Sequence, residues 1–179
     1  MNVYIEDLLL KKKNILLDRW FTMILENFAP ETSTFFRREK NRFNNPVAYQ
    51  ISQGIKGIYD ALLEGKSPVD MPPFLGNVVQ IMAIQELPPS KAVSFISLLK
   101  KIVREELKGD PGKDHMADEL LRFESKLDEL TFMSFDVYMK HREILFESKV
   151  KDTKNRVGGL LRMAGLAVDL ENATEGNDR

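Results

Sequence analysis

The stretch DHMADELLRFESKLDELTFMSFDVYMKHREIL, residues 114–145, decides the fold class. Along it Met116, Leu120, Phe123, Leu127, Leu130, Ser134, Val137, His141 and Ile144 fall in alternating steps of four and three. Side chains so spaced share one face of a helix, because 3.6 residues complete a turn. Asp114 supplies a cap at its start. The stripe lasts about four heptads, or about 45 Å at 1.5 Å per residue, longer than one compact domain needs. Its apolar edge is therefore expected to be covered, by the chain's own helices or by another chain.

The rest of the chain carries the same period. Gly109-Asp110-Pro111-Gly112 marks a turn before the long helix. Ahead of it, Ala92, Ile96, Leu99, Val103 and Leu107 form one helical face, with Pro88-Pro89-Ser90 ending the preceding helix and capping this one. A helix from about Phe74 to Glu86 is apolar around most of its circumference and should be central. Asn45 as N-cap and Pro46 at the first helical position open a helix faced by Val47, Ile51, Ile55, Ile58 and Leu62 and stopped by Gly65. Ser67-Pro68-Val69-Asp70 reads as a capping box. Near the N-terminus Ile5, Leu8, Leu9, Leu16, Trp20, Ile24 and Phe28 predict one helix stopped by Pro30, with a short charged segment from Glu31 to Arg42 anchored by Phe35 and Phe36. Gly158-Gly159 is expected to break the long helix after its charged extension, Glu147 to Arg156. No alternating strand pattern occurs. The expectation is an all-α fold of about five to seven helices, globin-like or bundle-like, with a long C-terminal helix; residues 1–157 form the domain, and 158–179 a short apolar segment and polar tail.

Composition narrows the function. The 179 residues are 43% hydrophobic, and 26 Lys and Arg balance 27 Asp and Glu for a net charge of −1. That is enough apolar content for one real core, and the balance removes the electrostatic footprint of a nucleic-acid binder. The absence of Cys excludes a disulfide framework, a thiolate zinc site and a cysteine nucleophile. The longest uncharged stretch, Met71 to Gln85, contains Pro72 and Pro73, so no membrane span is expected. Glu6 and Asp7 precede the first lysines and no cleavage site follows, which points away from a secretory signal, and the absence of Cys fits a reducing cytoplasm.

Chemistry is nearly absent. No phosphate-binding glycine loop, nucleophile elbow or His-Glu-x-x-His motif occurs. The helical di-iron motif needs Glu three residues before His; Gly112 and Tyr138 occupy those places before His115 and His141. His141 lies on the apolar seam. Its readings are a hydrogen-bonded core or interface histidine, an axial haem ligand, or a phospho-accepting histidine on a helix pair. His115, after Asp114, reads as solvent-exposed. Arg37, Arg38, Lys40 and Arg42 before the Asn45 cap read as a solvated face, or as an anion site at a helix N-terminus. Phe43 reads as a hydrophobic staple. Trp20, Phe21, Phe28, Phe95, Phe132, Phe135 and Tyr138 at helical spacing read as core. No cofactor, metal or enzymatic activity is expected.

Four segments carry a family resemblance: Asn41-Arg42-Phe43-Asn44-Asn45-Pro46-Val47, Leu62-Leu63-Glu64-Gly65, Ala83 to Val93 through Pro88-Pro89-Ser90, and Leu99 to Leu107. In order and spacing, roughly from Leu8 to Leu145, the chain resembles the RsbRD-type N-terminal domain, the sensory half of co-antagonists of the RsbT kinase in bacterial stress signalling. The resemblance implies a cytoplasmic, all-helical, non-haem globin-like sensor domain that dimerises through terminal helices. A STAS or kinase domain would follow in many relatives, whereas about 30 residues follow Val150 here. Read together, these features predict a non-enzymatic regulatory module, a homodimer along the long helix through Leu127, Leu130, Val137 and His141, with a signalling or respiratory protein as further partner. A small-ligand or haem-binding protein using His141, and a histidine phosphotransfer domain, are the competing readings.

Overall fold

The computed structural model describes residues 4–38, 43–68, 71–108 and 116–165. Among them are seven helices and no strand: α1 Tyr4–Lys11, α2 Lys13–Leu25, α3 Pro30–Arg38, α4 Pro46–Leu63, α5 Pro72–Ile84, α6 Pro89–Leu107 and α7 Ala117–Met163. None is long and apolar enough to cross a membrane. The all-α reading and the long last helix hold. The chain's contacts divide it into two units, Met1–Arg142 and Glu143–Arg179.

In the first unit α2 packs on α4 and α6, and α5 packs on both of these as well. Leu16, Trp20 and Ile24 from α2, Ile51, Ile55 and Ile58 from α4, Leu75, Val78 and Met82 from α5, and Phe95, Leu99 and Val103 from α6 are all buried. The Trp20 ring stacks on Phe95 at 6.2 Å between centroids, and its indole N–H donates to the Phe95 carbonyl at 2.6 Å. A buried indole needs such a partner, so one side chain fixes both the spacing and the register of α2 on α6. Helices α4 and α5 approach most closely. A Cβ at Gly54 would fall 2.3 Å from Val78 Cγ2, and one at Gly57 equally close to the Phe74 ring.

Helix boundaries follow local chemistry. The Asn45 side chain accepts from the Ala48 amide at 3.0 Å, and Pro46 follows at the first helical position. At the other end of α4, Gly65 at φ +71 lets its own amide reach the Leu62 carbonyl and the Lys66 amide reach Ala61.

Several boundaries differ from the sequence reading. The first helix is two, separated at Lys12. There the Lys12 ammonium is drawn onto the Glu106 carbonyl and carboxylate, while the Tyr59 hydroxyl donates to the Leu9 carbonyl at 2.8 Å. Pro30 opens α3 instead of merely ending its predecessor, since a missing N–H costs nothing in a first turn; Phe36 is buried and Phe35 is exposed. Phe43 is exposed and not buried as a staple. Pro88, not Ser90, precedes α6, with no side-chain cap. Gly158-Gly159 does not break α7. Each glycine costs a helix about 1 kcal/mol, too little to end one that continues through Leu160, Leu161 and Arg162. The helix yields at Gly165 instead, at φ +68. The Gly109–Gly112 turn, Asp114 and His115, and half of the Ser67–Asp70 box (Val69 and Asp70) lie outside the described residues.

Candidate interaction surface

Within the first unit α7 has one face spent on the core. Phe123, Leu127, Leu130, Ser134 and Tyr138 are buried along it. Polar contacts fix this face. Arg104 forks onto the Glu124 carboxylate at 2.5 and 2.6 Å, and the Lys100 ammonium meets Asp128 at 2.6 Å. Glu124 is buried while Arg104 is largely exposed. The paired guanidinium holds the Glu124 carboxyl below the usual glutamate range against the opposing effect of burial. Further along, the Tyr138 hydroxyl donates to the Leu87 carbonyl at 2.6 Å and Arg142 reaches the Ala83 carbonyl at 3.4 Å. Both carbonyls belong to the turn that closes α5, so α7 is tied to the backbone as well as packed.

The predicted interface residues divide on this helix. Leu127 and Leu130 have no exposed surface in the single chain and pack inside the first unit. Val137 and His141 are half-buried beside the core stripe. The stripe leaves the expected positions after Ser134 because an α-helix has 3.6 residues per turn, not 3.5. It drifts about 20° per heptad unless it supercoils, and that drift turns Tyr138 inward in place of Val137.

The drift leaves other apolar side chains facing water. Phe132 is 72% exposed, Phe135 44% and Met139 47%. They stand at i, i+3 and i+7, one face of the helix, and Leu121, eleven residues before Phe132, shares that face. Phe132 and Phe135 were expected in the core and are not there. The sequence did contain the signal, since a second apolar stripe at helical spacing accompanies the first, but nothing local says which stripe meets the core. Elsewhere, Arg37 pairs with Glu26 at 3.5 Å, while Lys40 and Arg42 lie outside the described residues. Among the described residues no group of three His, Asp or Glu is placed to hold a metal ion. An open groove of about 380 Å³ lies over the α4–α5 contact, lined by Gly54, Gly57, Asp60, Phe74 and Asn77. It is a by-product of the close approach that the glycines permit.

An all-helical unit whose last helix is clamped to the core on one side and exposes apolar side chains on the other is the class of protein this geometry defines: a helical module with an exposed apolar helix face. The family model for the RsbT co-antagonist protein rsbRD N-terminal domain matches residues 15–150, and the chain belongs to that family. It is also similar to an uncharacterised protein of Archaeoglobus fulgidus, 29% identical over 93 residues, 51% of this chain and 57% of that protein. The chain thus aligns with little more than half the length of this relative. No solved structure matches.

Proposed function

We propose that the chain is a non-enzymatic sensor or regulatory module that works through protein contacts and pairs with a second copy across the outer face of α7. One observation carries this reading: Phe132, Phe135 and Met139 stand exposed on one face of a helix that the core and the Arg104–Glu124 and Tyr138 contacts hold rigid. A contiguous apolar face of this kind on a fixed scaffold marks an interaction site. Membership of a stress-signalling family supports a signalling role. Leu127 and Leu130 support the pairing indirectly, by seating the helix that presents the outer face.

Signal would then pass along α7, which Tyr138 and Arg142 tie to the α5 turn part-way along its length. Sedimentation velocity at tens of micromolar tests the pairing. The parent chain should run as a dimer and the Phe132→Asp, Phe135→Asp double variant as a monomer with unchanged helicity, because both positions are solvent-exposed in the single chain. A parent chain that stays monomeric at that concentration would remove the proposal.

A further inference from the structure

Within the second unit, Glu143–Arg179, the last stretch of α7 is two-sided in charge as well as in hydropathy. At 100° per residue, Phe146, Val150, Thr153, Val157, Leu160 and Leu161 fall within an arc of about 100°. Phe146 and Leu160 are 66% and 65% exposed. Lys154 borders one edge of the arc, with Glu147 beside it, and Lys149 and Arg156 border the other. Ser148, Asp152 and Asn155 occupy the far side of the helix. From Ser148 to Met163 five basic side chains accompany a single acidic one, in a chain whose net charge is −1. Among the described residues no acidic side chain pairs with Lys151, Lys154, Arg156 or Arg162.

A second copy meets this pattern poorly. In a parallel pairing along the arc, Lys149 of one chain would oppose Lys154 of the other, and like charges there repel. An antiparallel pairing that seats Phe146 on Val157 would set Lys149 against Arg156, which offsets the Glu147–Lys154 pairs it gains. A helix of another protein would need acidic side chains along both of its own edges at matching spacing. An anionic bilayer needs no register: it offers acyl chains to the arc and phosphates to both borders at once. Lys and Arg at such borders lay their methylene stems along apolar surface and hold their charged heads at headgroup level. A helix with this distribution lies in the plane of the interface. The local charge decides the contact, not the net charge of the chain, because attraction to the lipid surface fades within a Debye length of about 8 Å. The apolar arc is one-sided, and no described helix is long and apolar enough to cross a membrane. The geometry is that of a helix lying on a bilayer, not through it.

We propose that the stretch of α7 from Phe146 to Arg162 binds the surface of an anionic bilayer, with Phe146, Val157 and Leu160 among the acyl chains and Lys149, Lys154 and Arg156 at the lipid phosphates. This role goes beyond pairing through Phe132 and Phe135 and does not rest on it.

In the full-length protein, Phe146→Trp adds an indole on the arc and Ser148→Trp adds one on the far side. The native Trp20 is buried in the first unit and gives a constant background. Vesicles of phosphatidylglycerol and phosphatidylcholine in equal parts should move the Phe146→Trp emission to shorter wavelength and leave Ser148→Trp unshifted. Pure phosphatidylcholine should shift neither. Each cation near an anionic surface strengthens binding about fivefold. Combined Lys149→Glu, Lys154→Glu and Arg156→Glu substitution should therefore weaken vesicle binding by about a hundredfold or more, with circular dichroism showing the helix intact. Molar salt, which shortens the Debye length to about 3 Å, should weaken it as well. Equal shifts from both indoles, or binding to pure phosphatidylcholine as tight as to the mixture, overturns the proposal. So does the absence of any shift, which would leave the face to an acidic protein. A shift produced by raising protein concentration without vesicles would give the face to a second copy and overturns it too.

Discussion

Glu86 occupies φ +56 at the turn that closes α5, where an L side chain crowds the following carbonyl. Its amide reaches the Ala83 carbonyl at 3.1 Å and the Leu87 amide reaches Met82 at 3.2 Å, the same two-bond closure that Gly65 makes after α4. At α4 the residue suits the conformation; at α5 the surroundings impose it. Leu87 is held from outside by Tyr138, Ala83 by Arg142, and Pro88-Pro89 prevents the chain from winding on. Glu86→Gly should therefore raise stability by about 0.5 kcal/mol, the strain relieved less the backbone freedom glycine adds to the unfolded chain. Glu86→Ala should give no such gain, because alanine carries the same Cβ. Urea denaturation of the two variants separates backbone strain from any effect of the carboxylate, and equal gains from both would refute the strain.

Among the elements, α4 was the most legible. Asn45, Pro46, the Ile51-Ile55-Ile58-Leu62 face and Gly65 all do what their chemistry predicts, because caps and stops act within a few residues. Helix α7 was legible as a helix but not at its end. The pair Gly158-Gly159 predicts a break there, yet no heavy atom lies within 4 Å of a Cβ built at either position. Nothing packs there to favour or forbid a side chain, so propensity alone sets the local cost. Gly158→Ala and Gly159→Ala should each steady the second unit's helix by about 1 kcal/mol. Amide exchange protection between Asn155 and Met163 should then rise about fivefold per substitution. No change would mean that this part of α7 is held by something stronger than its own propensity.

For the whole molecule, stability against acid follows from two carboxylates that tie helices together. Hydrogen bonds from Lys12 and Arg19 hold Glu106 below the usual range, and Arg104 does the same for Glu124. A carboxylate with a lowered folded pKa binds fewer protons folded than unfolded. Its contribution is complete above the ordinary glutamate value of about 4.3 and is lost as pH falls through the lower folded value. Urea midpoints should stay level from neutral pH down to about 5 and fall below about 4. Arg104→Met should lower the midpoint more than Glu124→Gln at neutral pH, since it strands a buried charge. Its cost should shrink at pH 4, where the stranded Glu124 of the variant, no longer held charged by Arg104, can be neutralised by a proton. An equal cost at both pH values would show that the fork does not bear on folding.

The sequence by itself determined that this protein is all-α, where α4 begins and ends, and which family it joins, because periodicity, caps and turn residues act over one or two turns. Only the tertiary structure decided which of two apolar stripes on α7 belongs inside. That choice depends on the slow drift of a 3.6-residue helix across a distant core, and on Tyr138 and Arg142 finding carbonyls fifty or more residues away and Glu124 and Asp128 finding cations on α6. It moved Leu127 and Leu130 into the interior, left Phe132 and Phe135 in water, and with them moved the surface through which this protein is proposed to act.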